Sequence, residues 1–181
     1  MSRLAIFMVD GFEEIEALTV VDLARRAGIE VDVISVMDGK QVCGSHKIPV
    51  ICDMHISEIK KDSYDMVVLP GGPGHKKLEA CGELMAMVDD YYQAGKYVTA
   101  ICAAPSILGR RGILKGKKAC CFPSFEQYLE GAEVSFDKVC VDGNVITSRG
   151  MGTAMDFAIA IVEALEGKEK ALEKAKEIVY V

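Results

Sequence analysis

The chain has 181 residues, half of them apolar, and 27 acidic against 21 basic side chains leave a net charge of −6. The apolar fraction excludes a disordered chain, and the length fits a single domain (1–181) whose core needs no metal or disulfide. The acidic balance argues against a nucleic-acid scaffold or an anionic membrane surface as partner.

Residues 4–9 (LAIFMV) form a six-residue apolar run with Asp10, Glu13 and Glu14 close behind. That is a buried strand rather than a signal peptide, and no run approaches the ~20 residues of a membrane span. The reading is a cytoplasmic protein with mostly reduced cysteines. Residues 15–24 then place apolar side chains at three- and four-residue steps and close on Arg25-Arg26-Ala27-Gly28, basic residues before a glycine stop. Residues 31–36, Met66–Leu69, Tyr97–Ile101 and 145–147 repeat the β-rich pattern, and residues 84–92 and 153–165 repeat the helical one. Strands that read as continuous apolar runs fit a parallel sheet covered by helices on both faces. Residues 39–53, punctuated by Gly39, Gly44 and Pro49, read as a hairpin, as do residues 139–147 with Asp142-Gly143-Asn144 at the turn. The Lys/Glu alternation over 168–177 predicts a solvated helix face.

The seven cysteines are Cys43, Cys52, Cys81, Cys102, Cys120, Cys121 and Cys140. An odd count excludes a complete internal disulfide framework, and the absence of C-x-x-C excludes the common zinc and thioredoxin motifs. Each is by default a small buried hydrophobe, so only context singles one out. The strand-like setting of Cys120 and Cys121 favours burial.

Ligands of parallel α/β sheets bind at the carboxyl ends of the strands, and three such ends carry candidate chemistry. After the first strand, Glu13 and Glu14 suit the positive end of a helix dipole. Glu16 instead sits among Ile15, Ala17 and Leu18, where burial would raise its pKa; the alternative is a third exposed acid. After the third core strand, Pro70-Gly71-Gly72-Pro73-Gly74 either turns the chain tightly or brings backbone N–H groups to a reacting oxygen. No Walker loop occurs. The third end is Val98-Thr99-Ala100-Ile101-Cys102-Ala103-Ala104-Pro105. A strand passes into a cysteine, then small residues, then a proline in the first helical turn, which is the layout of a nucleophile elbow. A helix N-terminus is expected to lower the Cys102 thiol pKa, and Ala103 N–H is available as an oxyanion donor.

These strand ends, taken together, resemble the ThiJ/PfpI superfamily, and within it the branch of the parkinsonism-associated protein deglycase. The matching pieces are GFEEIEA (11–17), RRAGI (25–29), DMVVLPGG (65–72), AICAAP (100–105) and TSRGMGTAMDFAIAIVEALEGKE (147–169). The resemblance implies a flavodoxin-like sandwich and a homodimer, with Arg25, Arg26 and the 39–53 hairpin as candidate dimer contacts. It places Cys102 as nucleophile, Glu16 as the acid hydrogen-bonded to its thiolate, and Gly72 and Ala103 as the backbone donors facing the reacting oxygen. It implies glyoxalase or deglycase activity on methylglyoxal or its adducts, with neither metal nor organic cofactor, and links members to redox sensing and chaperoning. The sequence departs from the pattern at histidine. Ala103 follows the nucleophile where a protease-like branch has His, and Phe122 stands where the deglycase branch often has His. His46, His55 and His75 fall in loop or hairpin contexts and read as incidental surface residues, which disfavours a Cys–His triad and peptide hydrolysis.

Two functions of different class therefore use the same pair. One is a Cys102-dependent glyoxalase/deglycase acting on a small aldehyde or glycated substrate. The other is a redox sensor or stress chaperone read out by oxidation of Cys102. A flavin- or nucleotide-binding module of flavodoxin-like shape is disfavoured, because no phosphate loop is present.

Overall fold

The computed structural model describes residues 1–181. In chain order its strands are β1 (Arg3–Met8), β2 (Glu30–Ser35), β3 (Gln41–Cys43), β4 (Pro49–Ile51), β5 (Met54–His55), β6 (Met66–Leu69), β7 (Tyr97–Ile101), β8 (Lys118–Ala119), β9 (Glu133–Val134), β10 (Val139–Asp142) and β11 (Val145–Ser148). Its helices are α1 (Glu14–Arg26), α2 (His75–Ala80), α3 (Gly82–Gln93), α4 (Pro105–Arg110), α5 (Ala154–Glu166) and α6 (Lys168–Glu177). Seven strands form the central sheet in the order β10-β11-β7-β6-β1-β2-β5, parallel throughout except for the β10–β11 pair. No helix is long and apolar enough to cross a membrane.

The alternation of side chains along β1 explains the continuous apolar run. Leu4, Ile6 and Met8 enter one core with residues of α1, α5 and α6, while Ala5, Phe7 and Val9 enter a second core with residues of α3 and α4. Successive strand residues point to opposite faces, so a sheet covered on both sides needs apolar side chains at every position. The five sequence-predicted strands and both hairpins form where expected, with β3–β4 inside 39–53 and β10–β11 over 139–148. The Lys/Glu-rich segment is α6. Only Ala171 and Ala175, one turn apart, are buried in it. The two-residue strands β5, β8 and β9 lack any periodic signal and were invisible in the sequence.

The order of the strands positions the site. β1, β6 and β7 lie side by side and run parallel, so their carboxyl ends and the loops that follow converge at one edge of the sheet.

Candidate active site

Cys102 immediately follows β7 and has φ +66°, in the left-handed region that costs a side chain with a Cβ about 1–3 kcal/mol unless its surroundings impose it. Those surroundings are two backbone hydrogen bonds. Cys102 N–H donates to Ser148 O at the end of β11 (3.0 Å), and Phe122 N–H donates to Cys102 O (2.8 Å). Pro105 stands at the first turn of α4, where its missing N–H costs nothing. The predicted elbow is therefore present, with Cys102 almost buried at 7% exposure.

Glu16 comes to it from the first turn of α1. Its side chain is fully buried, Oε2 accepts a hydrogen bond from Gly71 N–H (3.0 Å), and the carboxyl hydrogen-bonds the Cys102 thiol. Oε1 is buried without a partner. Gly71 has no room for a side chain: a Cβ there would lie 2.5 Å from Cys102 Cβ and 2.6 Å from Glu16 Oε2. The backbone N–H groups of Gly72 and Ala103 both hydrogen-bond the Cys102 sulfur. The structure thus brings all four predicted residues together, Cys102 and Glu16 by side chain, Gly72 and Ala103 by backbone.

Two loops form this floor by interlocking. Glu13 N–H donates to Gly71 O (3.1 Å), Gly74 N–H donates to Gly11 O (2.8 Å), and a Cβ on Gly72 (φ +87°) would lie 2.5 Å from Gly11 O. The β3–β4 hairpin closes over the same place, with Ser45 N–H donating to Phe12 O (2.8 Å) and His46 N–H to Glu14 Oε1 (2.7 Å). Glu13 and Glu14 do open α1, but this cover buries them. Burial would raise the Glu14 carboxyl, yet hydrogen bonds from the His46 side chain, the backbone and Ser45 hold it down at about 2.

The protonation of the pair corrects the expectation of a thiol armed by the helix N-terminus alone. Burial, then the charge of Glu16 and the hydrogen bond to it, push the Cys102 thiol up to about 12, against the pull of the Gly72 and Ala103 N–H groups. α4 is six residues long, too short for its dipole to outweigh those effects. Burial likewise pushes Glu16 up to about 7, although Cys102 and Gly71 both donate to it. At neutral pH the two groups compete for one charge. Thiolate forms when the thiol proton passes to Glu16, which also removes the repulsion that held the thiol up.

The sulfur faces a cavity of about 290 Å³ walled by Glu13, His75, Phe122, Phe125 and Met151. Here a second expectation is corrected. His75 is no incidental surface residue; it opens α2, is 94% buried, and packs edge-on against Phe125 with ring centroids 5.5 Å apart. Its Nδ1 lies 2.9 Å from Gly72 O, which makes it the N–H donor and fixes the loop that carries the Gly72 N–H. Its place one residue after the glycine-rich turn was the available signal, since that turn ends at the site. His46 does lie at the surface, pairing with Glu14, and His55 is half-buried. Phe122 lines the same cavity.

Known proteins resemble this chain in sequence and in fold. The DJ-1/PfpI family model matches residues 2–164. Protein dj-1beta of Drosophila melanogaster is 40% identical over 183 residues, covering 97% of this chain and 96% of its own length. A glutathione-independent glyoxalase of Caenorhabditis elegans is 33% identical over 178 residues, covering 93% and 91%. DJ-1 homolog B of Arabidopsis thaliana is 39% identical over 176 residues; these cover 96% of this chain but 40% of the plant protein, so the chain spans about two-fifths of that relative's length. Among solved structures, oxidised DJ-1 of Toxoplasma gondii superposes with a TM-score of 0.95 at 33% identity, covering 99% and 98% of the two chains. On the family match, the near full-length relatives and the shared flavodoxin-like fold, this chain belongs to the DJ-1/PfpI family.

Proposed function

We propose that the chain is a cysteine-dependent glyoxalase/deglycase that converts methylglyoxal, free or as an adduct, to lactate. The observation that carries this reading is the Cys102 sulfur at one small cavity, with the Gly72 and Ala103 N–H groups beside it and the buried Glu16 carboxyl against it from behind. The naming of a full-length relative as a glutathione-independent glyoxalase supports it.

The chemistry follows from the protonation of the pair. The Cys102 sulfur adds to the aldehyde carbon of methylglyoxal while its proton passes to Glu16. Gly72 and Ala103 N–H groups hold the oxyanion that forms, and Glu16 returns the proton to it, giving a hemithioacetal. Glu16, again a carboxylate, takes the proton from that carbon and delivers it to the neighbouring carbonyl carbon through an enediol, leaving a lactoyl thioester on Cys102. Water then cleaves the thioester, releasing lactate and restoring the thiol. The hydrogen lost by one carbon is gained by the next, so methylglyoxal and water account for lactate without an outside oxidant. A base with a pKa near 7 suits these steps at neutral pH.

The direct test is to incubate the purified protein with methylglyoxal, measure lactate, and map adducts by mass spectrometry. Lactate formation with a methylglyoxal-derived adduct on Cys102 is the expected result; lactate at the uncatalysed rate sinks the reading. The pH profile is a second check. Because Glu16 must be ionised to act as base and its pKa is about 7, kcat/KM rises with pH and levels off above about 7. A profile flat from pH 5 to 9 contradicts the role of Glu16.

One observation favours the sensor reading as a second function of the same thiol. The T. gondii relative was solved in an oxidised form, and the donors that hold an oxyanion here would equally hold the oxygens of a sulfinate on Cys102. Selective sulfinate at Cys102 after mild peroxide, without lactate turnover, distinguishes it.

Pairing with a second copy of the chain belongs to the same proposal. The β3–β4 hairpin that covers Glu14 exposes Ile48 and Ile51, and α1 exposes Ile15 next to Glu14. Sedimentation equilibrium is expected to give twice the chain mass of 19.6 kDa; a single species of chain mass excludes the pairing.

A further inference from the structure

Cys120 and Cys140 are absorbed by neither reading, yet the fold sets them face to face. β8 leads into Cys120 alongside the edge strand β10, with Lys118 N–H donating to the Asp142 carboxylate (2.9 Å). Thr147 fixes the same juxtaposition from below. It is the cross-strand partner of Cys140 in the β10–β11 register, so both side chains leave the same face of the sheet. On that face Thr147 Oγ1 accepts from Cys120 N–H (3.0 Å), and Cys120 Sγ lies 3.3 Å from Thr147 O. The two thiols lie close enough for each to shift the other's protonation. Both cysteines are free and buried.

We propose that Cys120 and Cys140 are a second redox site, closed to a reversible disulfide by a hydroperoxide. The roles divide by environment. Contact with Cys120, the Ser135 hydroxyl and the Lys118 ammonium lower Cys140 against burial, while contact with Cys140 and burial raise Cys120, whose thiol donates to Thr147 O. Cys140 is thus the nucleophile and Cys120 the resolving thiol. The Cys140 thiolate attacks the peroxide oxygen, giving a sulfenic acid and releasing hydroxide or alkoxide. Cys120 then attacks the sulfenic sulfur. The S–S bond forms, the sulfenic hydroxyl leaves, and the Cys120 proton goes with it as water. The dithiol loses two electrons and the peroxide gains them. β10 pairs only with β11, so the edge strand can close the remaining distance without breaking the central sheet.

The bond would tie β10 to the start of the segment whose Phe122 N–H holds the Cys102 carbonyl and whose Phe122 ring walls the cavity. The proposal does not depend on the activity of Cys102, and the test keeps them apart. Wild-type protein is treated with hydrogen peroxide, quenched in acid, unfolded with an alkylating reagent and mapped by mass spectrometry. The expected result is loss of alkylation at both Cys120 and Cys140, a cross-linked pair of peptides containing them, and full recovery of both thiols with dithiothreitol. In Cys140→Ser the cross-link disappears and Cys120 stays alkylatable, whatever happens at Cys102. Recovery of Cys120 and Cys140 as free thiols at a dose that oxidises Cys102 overturns the proposal, as does a cross-link of either to a different cysteine.

Discussion

Cys102→Ser is expected to lower kcat/KM for methylglyoxal by at least about a thousandfold while leaving the fold intact. Serine meets the same backbone demand, since φ +66° strains any residue with a Cβ equally, and the bonds from Cys102 N–H to Ser148 and from Phe122 to the carbonyl do not involve the side chain. A hydroxyl is a much weaker acid than a thiol, however. Glu16, with a pKa of about 7, is matched to removing a thiol proton in concert with attack but not a hydroxyl proton. Loss of turnover with an unchanged circular dichroism spectrum therefore isolates the sulfur chemistry. A variant within tenfold of wild type would falsify the assignment of Cys102 as nucleophile.

Glu16→Gln is expected to move activity and stability in opposite directions. Gln can still accept from Gly71 N–H through its carbonyl oxygen, so the contact at 3.0 Å survives, but it cannot take a proton. The loss of one general base costs about 10²–10⁴ in rate and removes the rise of kcat/KM through pH 7. The stability effect follows from the raised pKa. In the unfolded chain Glu16 ionises near its ordinary 4.5, in the native state at about 7, so the folded protein holds a proton that the unfolded one has lost across that window. Native stability from this group is full below 4.5 and falls as pH rises through about 7, by roughly 3 kcal/mol in all. Urea titrations at pH 5 and pH 8 should show the wild type losing that amount relative to Glu16→Gln, which becomes the more stable protein at pH 8. Equal losses in both proteins contradict burial of an ionisable Glu16.

The strands and helices were legible because each buries a continuous or periodic set of side chains, and a sheet with both faces covered writes that into its strands. Cys102 was legible from its neighbours, small residues and a proline that only a sharp strand-to-helix turn uses in that order. Glu16 was legible as an acid at an apolar position. His75 was not, because a residue just past a glycine-rich turn carries no period to mark it as buried. The raised thiol pKa was hidden for a different reason. The groups that set it, Glu16 from α1 and the walls of the cavity, reach Cys102 only through long-range packing. The meeting of Cys120 and Cys140 was hidden likewise, since it depends on the alignment of β8 with β10 and of both with Thr147.

The interlocked loops after β1 and β6 set a rule for how this chain can vary in length. Gly11 and Gly72 pack backbone to backbone, and each loop supplies the other's hydrogen-bond partner. A residue inserted in either would shift Glu16 and the Gly72 N–H by different amounts and separate the parts of the site. The tip of the β3–β4 hairpin shares this constraint, because Ser45 N–H donates to Phe12 O and His46 N–H to the Glu14 carboxylate. The three segments therefore keep their lengths in step, and the two glycine loops have to change together or not at all.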